Sequence, residues 1–485
     1  MSTQVVILIG VAIYVVVMIA IGVYASSKSH TVTEFAVAGR SLPLWLCTAT
    51  VIATWFGGGV MIGVAGSAYE DGMLGVIADP IGGSVALVLV GLFFVRLFRR
   101  LRLFSWVEVM EQRYGTIAGI IASIGALMSM IMWVAGMLVA FGIIFETLTG
   151  VPMVVGIVGG ALIVVIYTSL GGMLAVALTD FVQMIIIAVG LVMLFVVVLF
   201  DAGGWSTVAA QLPEHTFRLV PIEHSLDEWM LYIRAWLILG LADIASQSLL
   251  QRAMSSKSER VAQNSFYLAA VGYFMLGMIP VLLGIIASVT MPGLAVAESV
   301  VPSLALEHLH PVAIAIFVGA LLAAIMSSCD SAILAAATVF STNILPRLMP
   351  SPPESAQLLA IRLGIPGAGL VAVAIALNSK AVFDTVLDAN MLVLAAVIAP
   401  FILAVWWKKA NRFGALAAMG AGIGTWLLVS LVWPERPADL IGFAVCLVTM
   451  LVVTPLTQRI DPPRGLVDHE GNPVELKDRL GILRN

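Results

Sequence analysis

Charged residues are scarce in this chain. Asp, Glu, Lys and Arg together make up 11% of its 485 residues, whereas 61% of the residues are hydrophobic. A soluble chain of this length needs a more polar surface, so the composition predicts a protein that crosses a membrane many times and contacts membrane lipids. The net charge of −4 gives no sign of a nucleic-acid partner.

Groups that build catalytic or metal centres are also few. The three cysteines, Cys47, Cys329 and Cys446, lie far apart in apolar segments, so they predict neither a disulfide framework nor a metal site. The six histidines fall in loops or in the C-terminal tail without metal-ligand spacing. Because the sequence also lacks a glycine-rich phosphate loop and a nucleophile elbow, it does not predict an enzyme.

Long apolar stretches fill most of the chain. The N-terminus lacks a basic segment and a small-residue cleavage site, so we expect residues 4–25 to be a retained first span and not a signal peptide. Apolar stretches of about 20 residues predict an all-α polytopic protein with about thirteen transmembrane helices in one domain, residues 1–456. A polar tail follows at 457–485, and we expect it to be loosely structured. The predicted spans are 4–25, 42–70, 73–97, 116–147, 153–169, 173–200, 228–252, 265–290, 311–342, 357–378, 384–407, 413–433 and 439–456.

Lys and Arg are concentrated on one side of these spans. Most of them lie in alternate loops and in the tail, including the cluster at 96–102, Arg252 and the pair Lys408-Lys409. Because positive loops stay in the cytoplasm, we expect the N-terminus outside and the tail inside the cell, in the inner (plasma) membrane. Residues 101–115 look amphipathic, and we expect them to lie on the cytoplasmic membrane surface.

A run of glycines interrupts the second span, in the segment Ala53-Thr54-Trp55-Phe56-Gly57-Gly58-Gly59. Glycine weakens a helix and lets other backbones approach closely. Unwound backbone is tolerated inside a bilayer only where it lines a cavity, and broken helices mark the binding sites of secondary transporters. The alternative is a small-residue packing face, which is common in membrane helices.

Two aspartates lie in apolar spans, where charged groups are costly. Asp180 follows the Gly171-Gly172 turn, and it either ligates a cation, relays a proton or caps a helix end; we favour the first two roles. Asp330 shares one helical face with Ser327 and Ser331. Hydroxyls with one carboxylate are ligands for a hard cation, and the alternative is hydrogen bonding between helices.

Two further aspartates give weaker signals. Asp79 precedes Pro80 in the third span, where it either faces a central cavity or caps the helix that Pro80 begins. We expect Asp243, in the seventh span, to pair helices.

Three ordered segments resemble the sodium:solute symporter family. YTSLGGMLAVALTDFVQ (167–183) is similar to the family's signature in its fifth and sixth helices. LLQRAMSSKSERVAQNSF (249–266) is similar to the segment that ends the seventh helix, and AAIMSSCDSAILAAATVFSTNI (323–344) to the cation-binding ninth helix. The resemblance implies a LeuT-like fold with two inverted five-helix repeats, here near 42–200 and 228–407, each with a broken first helix.

The resemblance also implies cation sites. The family's principal sodium site, carried over, consists of the carbonyls of Ala53, Phe56 and Ala324 with the hydroxyls of Ser327 and Ser328. A second sodium site, present in some members, implies Asp180, Ser327, Asp330 and Ser331. In several members a serine replaces Gly57, so one side-chain contact is missing here.

Within the family, TWFGGGVMIG (54–63) and MSSCDSAIL (326–334) look most similar to high-affinity choline transporters. Such proteins surround a quaternary ammonium with aromatic rings. Here Trp55 and Trp133 match two of the rings, whereas Gly83 and Ser246 stand where aromatics are expected. The solute-binding residues implied by the resemblance are Trp55, Gly57, Gly58, Asp79, Gly83, Trp133, Ser246 and Gln247.

These observations predict a Na⁺-coupled symporter that imports a small organic solute, either an amine or quaternary ammonium or an amino-acid-like compound. Sodium ions and that solute are the expected partners. Two alternatives remain open: proton coupling through Asp180 and Asp330, and a membrane sensor or channel that keeps the fold without coupled transport. The sequence leaves the oligomeric state undetermined.

Overall fold

The protein is described here as a computed structural model, which covers residues 3–221, 225–379, 390–474 and 480. Its long helices are α1 (Thr3–Ser26), α2 (Leu44–Trp55), α3 (Gly59–Asp71), α4 (Leu74–Phe93), α5 (Thr116–Thr149), α6 (Met153–Asp201), α7 (Leu226–Ala245), α8 (Gln247–Ser255), α9 (Glu259–Thr290), α10 (Pro311–Leu348), α11 (Glu354–Ala376), α12 (Val393–Trp406), α13 (Arg412–Val432) and α14 (Ala438–Thr457). Short helices connect them at Val32–Val37, Ala38–Arg40, Val95–Leu101, Val107–Tyr114, Trp205–Ala209, Ala297–Ser299 and Val300–His308.

The structure agrees with the sequence that the chain crosses the membrane many times. Among the described residues, 9 helices are long and apolar enough to cross a membrane, and two bent pairs raise the number to 11. Helix α6 has 49 residues, so its contour of about 73 Å is more than twice the thickness of a bilayer core. It turns at Gly172, which lies at the predicted boundary between the fifth and sixth spans. The total of thirteen remains a prediction, because the eleventh expected span begins in residues 380–389, which lie outside the described part.

Helix α10 forms the centre of the bundle. It packs against α1, α5, α6 and α11, and every residue from Leu321 to Val339 is buried. Alanine and serine dominate this stretch, and small side chains let neighbouring helices approach closely. Helices α13 and α14 instead pack mainly on each other, with Leu431 and Val452 exposed, as expected for a face in contact with lipid.

Two helices of the bundle are broken. A 58° bend separates α2 from α3, and a 45° bend separates α7 from α8. These are the second and seventh spans, so the sequence-based expectation of two interrupted helices is confirmed. The boundaries of the inverted repeats, 42–200 and 228–407, remain predictions, as does the division into a transmembrane domain at 1–456 and a tail.

The amphipathic segment 101–115 differs from its expected placement. Trp106, Val109 and Tyr114 are fully buried, and the Tyr114 hydroxyl donates a hydrogen bond of 3.0 Å to the carbonyl of Pro400. The helix Val107–Tyr114 therefore packs into the protein and does not lie on a lipid surface. The apolar face that the sequence shows is covered by α5, α12 and α13, not by the membrane.

The tail is also more ordered than the sequence suggests. The His469 amide donates to the Leu101 carbonyl at 3.0 Å, and its ring meets Phe104 edge-on at 5.0 Å. The Arg113 guanidinium donates to the carbonyl of Arg464. The expectation of a loosely structured tail is therefore wrong for its described part, because backbone contacts invisible in the sequence hold it against the helices.

The turn at Gly172 provides a test of the fold. Gly172 has φ +57°, and a Cβ atom there would lie 2.4 Å from the Phe35 carbonyl oxygen. We expect Gly172→Ala to destabilise the protein by about 2 kcal/mol or more, since it adds backbone strain to a steric clash. Thermal unfolding in detergent measures the loss. The matched control is Gly159→Ala, also in α6 and with open space around it, which should not lower the melting temperature; equal melting of both variants would contradict the prediction.

Candidate functional site

The break after α2 releases backbone groups in the middle of the bundle. The helix ends at Trp55, and Phe56 has the non-helical angles φ −77° and ψ 70°. The amide of Gly57 donates to the carbonyl of Trp55 at 2.8 Å, whereas a continuous helix would direct it to the carbonyl of Ala53. The Ala53 carbonyl therefore needs another partner, because a buried backbone oxygen without one is costly.

Two serines of α10 supply that partner. The hydroxyls of Ser327 and Ser328 donate to the Ala53 carbonyl at 3.0 and 3.4 Å, and Ser327 also lies 2.9 Å from the carbonyl of Ala324. All of these groups are buried. The structure thus brings together four of the five groups expected for the first cation site. Phe56 lies at the break, but within the described residues its carbonyl makes no hydrogen bond to either serine.

The glycines of the break allow close packing. A Cβ atom on Gly57 would lie 2.4 Å from the Ser328 Oγ and 2.6 Å from the Met137 Sδ, and one on Gly58 would lie 2.5 Å from the Cβ of Ala140. Helices α5 and α10 therefore occupy the space in which a side chain would project. A serine at position 57 would therefore have to displace the Ser328 hydroxyl or the Met137 sulfur. Contact of either glycine with a solute remains a prediction.

The second group of expected cation ligands is tied together by an arginine. Asp180 of α6 accepts a hydrogen bond from the Thr50 hydroxyl, and the guanidinium of Arg252 lies 3.7 Å from the same carboxylate. Arg252 also donates to the Ser331 hydroxyl, which in turn donates to Asp330 at 3.1 Å. The structure therefore brings Asp180, Asp330 and Ser331 into one network.

Arg252 is one of the basic residues that the sequence assigns to the cytoplasmic side. Its side chain is fully buried in the protein, a placement that the sequence did not predict. Its position at the very end of the seventh predicted span is compatible with either placement, so the sequence gives no local signal of its burial. The remaining Lys and Arg still show the same asymmetry between the two sides.

An aromatic wall stands beside the break. The rings of Trp55 and Phe56 meet the ring of Tyr273 edge-on at 6.1 and 6.0 Å, and the Tyr273 hydroxyl donates to Asp79 at 2.6 Å. A Cβ atom on Gly83 would lie 3.1 Å from the Tyr273 ring. Tyr273 of α9, which the sequence did not single out, thus supplies an aromatic ring at the place where Gly83 lacks one.

Trp133 completes one side of this region. It is 8% exposed and precedes Met137 by four residues, so both residues lie on the same face of α5. The sulfur of Met137 accepts a hydrogen bond from the amide of Gly58 at 3.1 Å. Trp133 therefore lies one helical turn from Met137, on the face of α5 that meets the break.

Ser246 and Gln247 occupy the break of the other interrupted helix. The Ser246 hydroxyl lies 3.1 Å from that of Ser248. The amide group of Gln247 donates to the Phe104 carbonyl at 2.8 Å and accepts from the Trp106 amide at 3.1 Å. Both polar ends of Gln247 are therefore used to anchor the segment before the helix Val107–Tyr114.

Asp243 lies one turn earlier in the same break. It accepts a hydrogen bond of 2.8 Å from the side-chain amide of Asn390, and Asn390 accepts one of 2.8 Å from Ser129 in α5. This chain of bonds matches the expected helix-pairing role. The break after α7 is thus held to α5 and to the start of the eleventh span.

Comparisons with known proteins agree with this geometry. The family model for the sodium:solute symporter family matches residues 35–422. The high affinity choline transporter 1 of Homo sapiens is 30% identical over 442 residues, which cover 86% of this chain and 75% of that protein. The sodium/glucose cotransporter of Vibrio parahaemolyticus is 26% identical over 502 residues, with 94% and 91% covered.

A solved structure shows the same fold. The substrate-bound outward-open state of a Na⁺-coupled sialic acid symporter superposes with a TM-score of 0.79 and 20% identity, over 96% of this chain and all of that one. Together with the two broken helices, this likeness establishes a LeuT-like architecture. The chain belongs to the sodium:solute symporter family, and it is a Na⁺-coupled membrane transporter of a small solute and not an enzyme.

Proposed function

We propose that this protein imports a small organic cation together with Na⁺, and that Na⁺ binds at the junction of α2 and α10. The ligands are the carbonyls of Ala53, Phe56 and Ala324 with the hydroxyls of Ser327 and Ser328. The observation that carries the proposal is the buried contact between the released Ala53 carbonyl and the two hydroxyls, at 3.0 and 3.4 Å. Hydroxyl and carbonyl oxygens are the ligands that a hard cation prefers.

Sodium at this junction links a broken helix to the centre of the bundle. The hydroxyls of Ser327 and Ser328 rotate freely, so each can turn its lone pairs toward a cation that enters between them and the Ala53 carbonyl. A bound ion then holds α2 against α10 and favours one arrangement of the two helices. A solute that binds to that arrangement binds more tightly when sodium is bound. By linkage, sodium binds more tightly by the same factor when the solute is bound.

The membrane potential adds a driving force. An inside-negative potential of 100 mV contributes about 2.3 kcal/mol for each positive charge that moves inward. This requires the orientation that the Lys and Arg distribution predicts, with the N-terminus outside and the tail in the cytoplasm of a cell with a polarised plasma membrane. A cationic solute gains the same contribution as sodium.

The aromatic wall and one carboxylate support a cationic solute. Trp55 and Tyr273 present ring faces and edges next to the break, and rings attract cations electrostatically. Asp79 is 4% exposed, and within the described part of the chain a hydrogen bond reaches only its Oδ1, from Tyr273. A carboxylate held in this way offers a countercharge to an organic cation. Choline belongs to this class, and choline transporters are among the relatives.

The residues implied for a second sodium, namely Asp180, Ser327, Asp330 and Ser331, remain a prediction at this point. Proton coupling through Asp180 and Asp330 is the rival mechanism. Both carboxylates are buried in one network with Arg252 and Tyr167, and transport driven by a pH gradient in Na⁺-free medium distinguishes the rival mechanism from sodium coupling.

Uptake of radiolabelled choline into proteoliposomes tests the proposal. We expect accumulation with an inward Na⁺ gradient and an inside-negative potential, and no accumulation when K⁺ replaces Na⁺. Ser327→Ala should raise the half-saturating Na⁺ concentration about tenfold to a hundredfold, because a hydrogen-bonding group on a charged partner contributes about 1.5–3 kcal/mol.

The matched control for this experiment is Ser341→Ala. Ser341 lies on the same helix, with its hydroxyl bonded to the Gln357 carbonyl at 2.7 Å, and it should leave the sodium dependence unchanged. Uptake driven by a pH gradient in Na⁺-free medium would reject sodium coupling. An unchanged sodium titration in Ser327→Ala would remove the site assignment.

The solute class has its own test in Asp79→Asn. We expect this change to raise the KM for an organic cation about tenfold or more, since a buried countercharge is lost, while the sodium titration stays as in the wild type. Asp201→Asn is the control, because Asp201 pairs with His308 at the surface. If neutral solutes inhibited choline uptake and amines did not, the assignment of a cationic solute would be contradicted.

A further inference from the structure

Asp243 has one carboxylate oxygen that its helix-pairing role does not use. The side chain is 4% exposed, and its Oδ1 accepts the hydrogen bond of 2.8 Å from Asn390. Within the described residues, no donor reaches its Oδ2. The aspartate lies in the interruption between α7 and α8, where its own carbonyl accepts from the Ser246 amide at 3.0 Å. Because a buried carboxylate oxygen without a partner is costly, a donor from outside the chain would stabilise it.

Asp79 of α4 is in the same situation. It is also 4% exposed, and its Oδ1 accepts the hydrogen bond of 2.6 Å from the Tyr273 hydroxyl. In the described part of the chain its Oδ2 has no donor either. Its backbone has the non-helical angles φ −150° and ψ 132°. Each of the two aspartates, Asp79 and Asp243, therefore has one oxygen fixed by a neighbouring side chain and one that is free.

The two carboxylates belong to one crossing of helices. A Cβ atom on Gly240 would lie 3.7 Å from the Gly82 carbonyl oxygen, so the backbones of α7 and α4 approach each other three residues from each aspartate. The turn that contains Asp243 also packs against the part of α4 that follows Asp79. The charge of Asp79 acts on Asp243, and the charges of both act on the Tyr273 hydroxyl. Both carboxylates therefore lie around the aromatic wall beside the break.

An ammonium group that carries hydrogens suits two such oxygens. A protonated primary amine has three N–H donors in one compact group, as the lysine side chain does, whereas a quaternary ammonium has none. Aromatic rings attract both kinds of cation, but only an N–H group forms the charge-assisted hydrogen bond that a carboxylate oxygen accepts. Methyl groups on the nitrogen would cover the free oxygens without giving them a bond, which is unfavourable.

We propose that the solute is a primary amine whose ammonium group donates hydrogen bonds to both Asp79 and Asp243, and that Asp243 selects against a methylated nitrogen. The rings of Trp55 and Tyr273 add the electrostatic attraction that any organic cation receives there. This inference rests on the proposed function, because it narrows the class of organic cation stated in it.

A methylation series on one carbon skeleton tests this selectivity. Protonated ethanolamine, its N-methyl and N,N-dimethyl derivatives and choline carry three, two, one and no N–H groups. We expect the KM of Na⁺-driven ethanolamine uptake into proteoliposomes to lie about tenfold or more below that of choline, because hydrogen bonds to charged groups are lost in choline. The two intermediate compounds, measured as inhibitors of ethanolamine uptake, should fall between the two in the order of their N–H groups.

The variant Asp243→Asn removes a single acceptor. The new amide keeps a carbonyl oxygen for Asn390, and its NH₂ group takes the place of Oδ2. We expect the preference for ethanolamine over choline to fall to about threefold or less, since one of the two carboxylate bonds is lost. Asp227→Asn is the matched control: Asp227 lies in the first turn of α7 and pairs with Arg436, so this variant should keep the wild-type preference.

The possible outcomes have different meanings. A choline KM equal to or below that of ethanolamine in the wild type, or a wild-type preference in an active Asp243→Asn protein, would overturn the selection by Asp243 and leave Na⁺-coupled cation import intact. If Asp243→Asn does not fold, the wild-type series decides, because the proposal requires affinity to fall with each added methyl group. Uptake of both cations that is independent of Na⁺ would instead overturn the proposed function.

Discussion

The requirement that every backbone polar group inside a membrane has a partner underlies the whole arrangement. A continuous helix meets it within itself, whereas the break at Phe56 leaves the Ala53 carbonyl without its usual donor. The hydroxyls of Ser327 and Ser328 fill this role at 3.0 and 3.4 Å. The same oxygens are the ligands of the proposed sodium site, so in that proposal the cost of breaking the helix and the ability to hold a cation have one origin.

The central helix α10 connects this site to the buried charges. Ser327, Asp330 and Ser331 lie along one face, so the proposed sodium site is within one helical turn of the network of Asp180 and Arg252. That network joins α2, α6, α8 and α10 through single side chains. In the proposed mechanism, this proximity of the helix break and the charge cluster couples ion occupancy to helix position, which is the physical requirement for coupled transport.

Several features of the site were visible in the sequence. The glycine run after Trp55 predicted a broken helix, because glycine weakens a helix and lets other backbones approach closely. The stripe of Ser327, Asp330 and Ser331 followed from helical spacing alone. Other features were not visible. Tyr273 is far away in the sequence from Asp79 and Gly83, and Gln247 looked like a solute ligand although both of its polar ends bind the segment at 104–106.

Local patterns in the sequence by themselves determined the membrane class, the positions of most helices and the two interruptions, since hydropathy and glycine content act over a few residues. Only the tertiary structure decided which groups meet. Arg252 illustrates the difference: at the end of an apolar span its charge is equally compatible with the cytoplasm and with the interior. Its burial depends on Asp180, Thr50 and Ser331, which three other segments bring to it, and no local pattern records such long-range contacts.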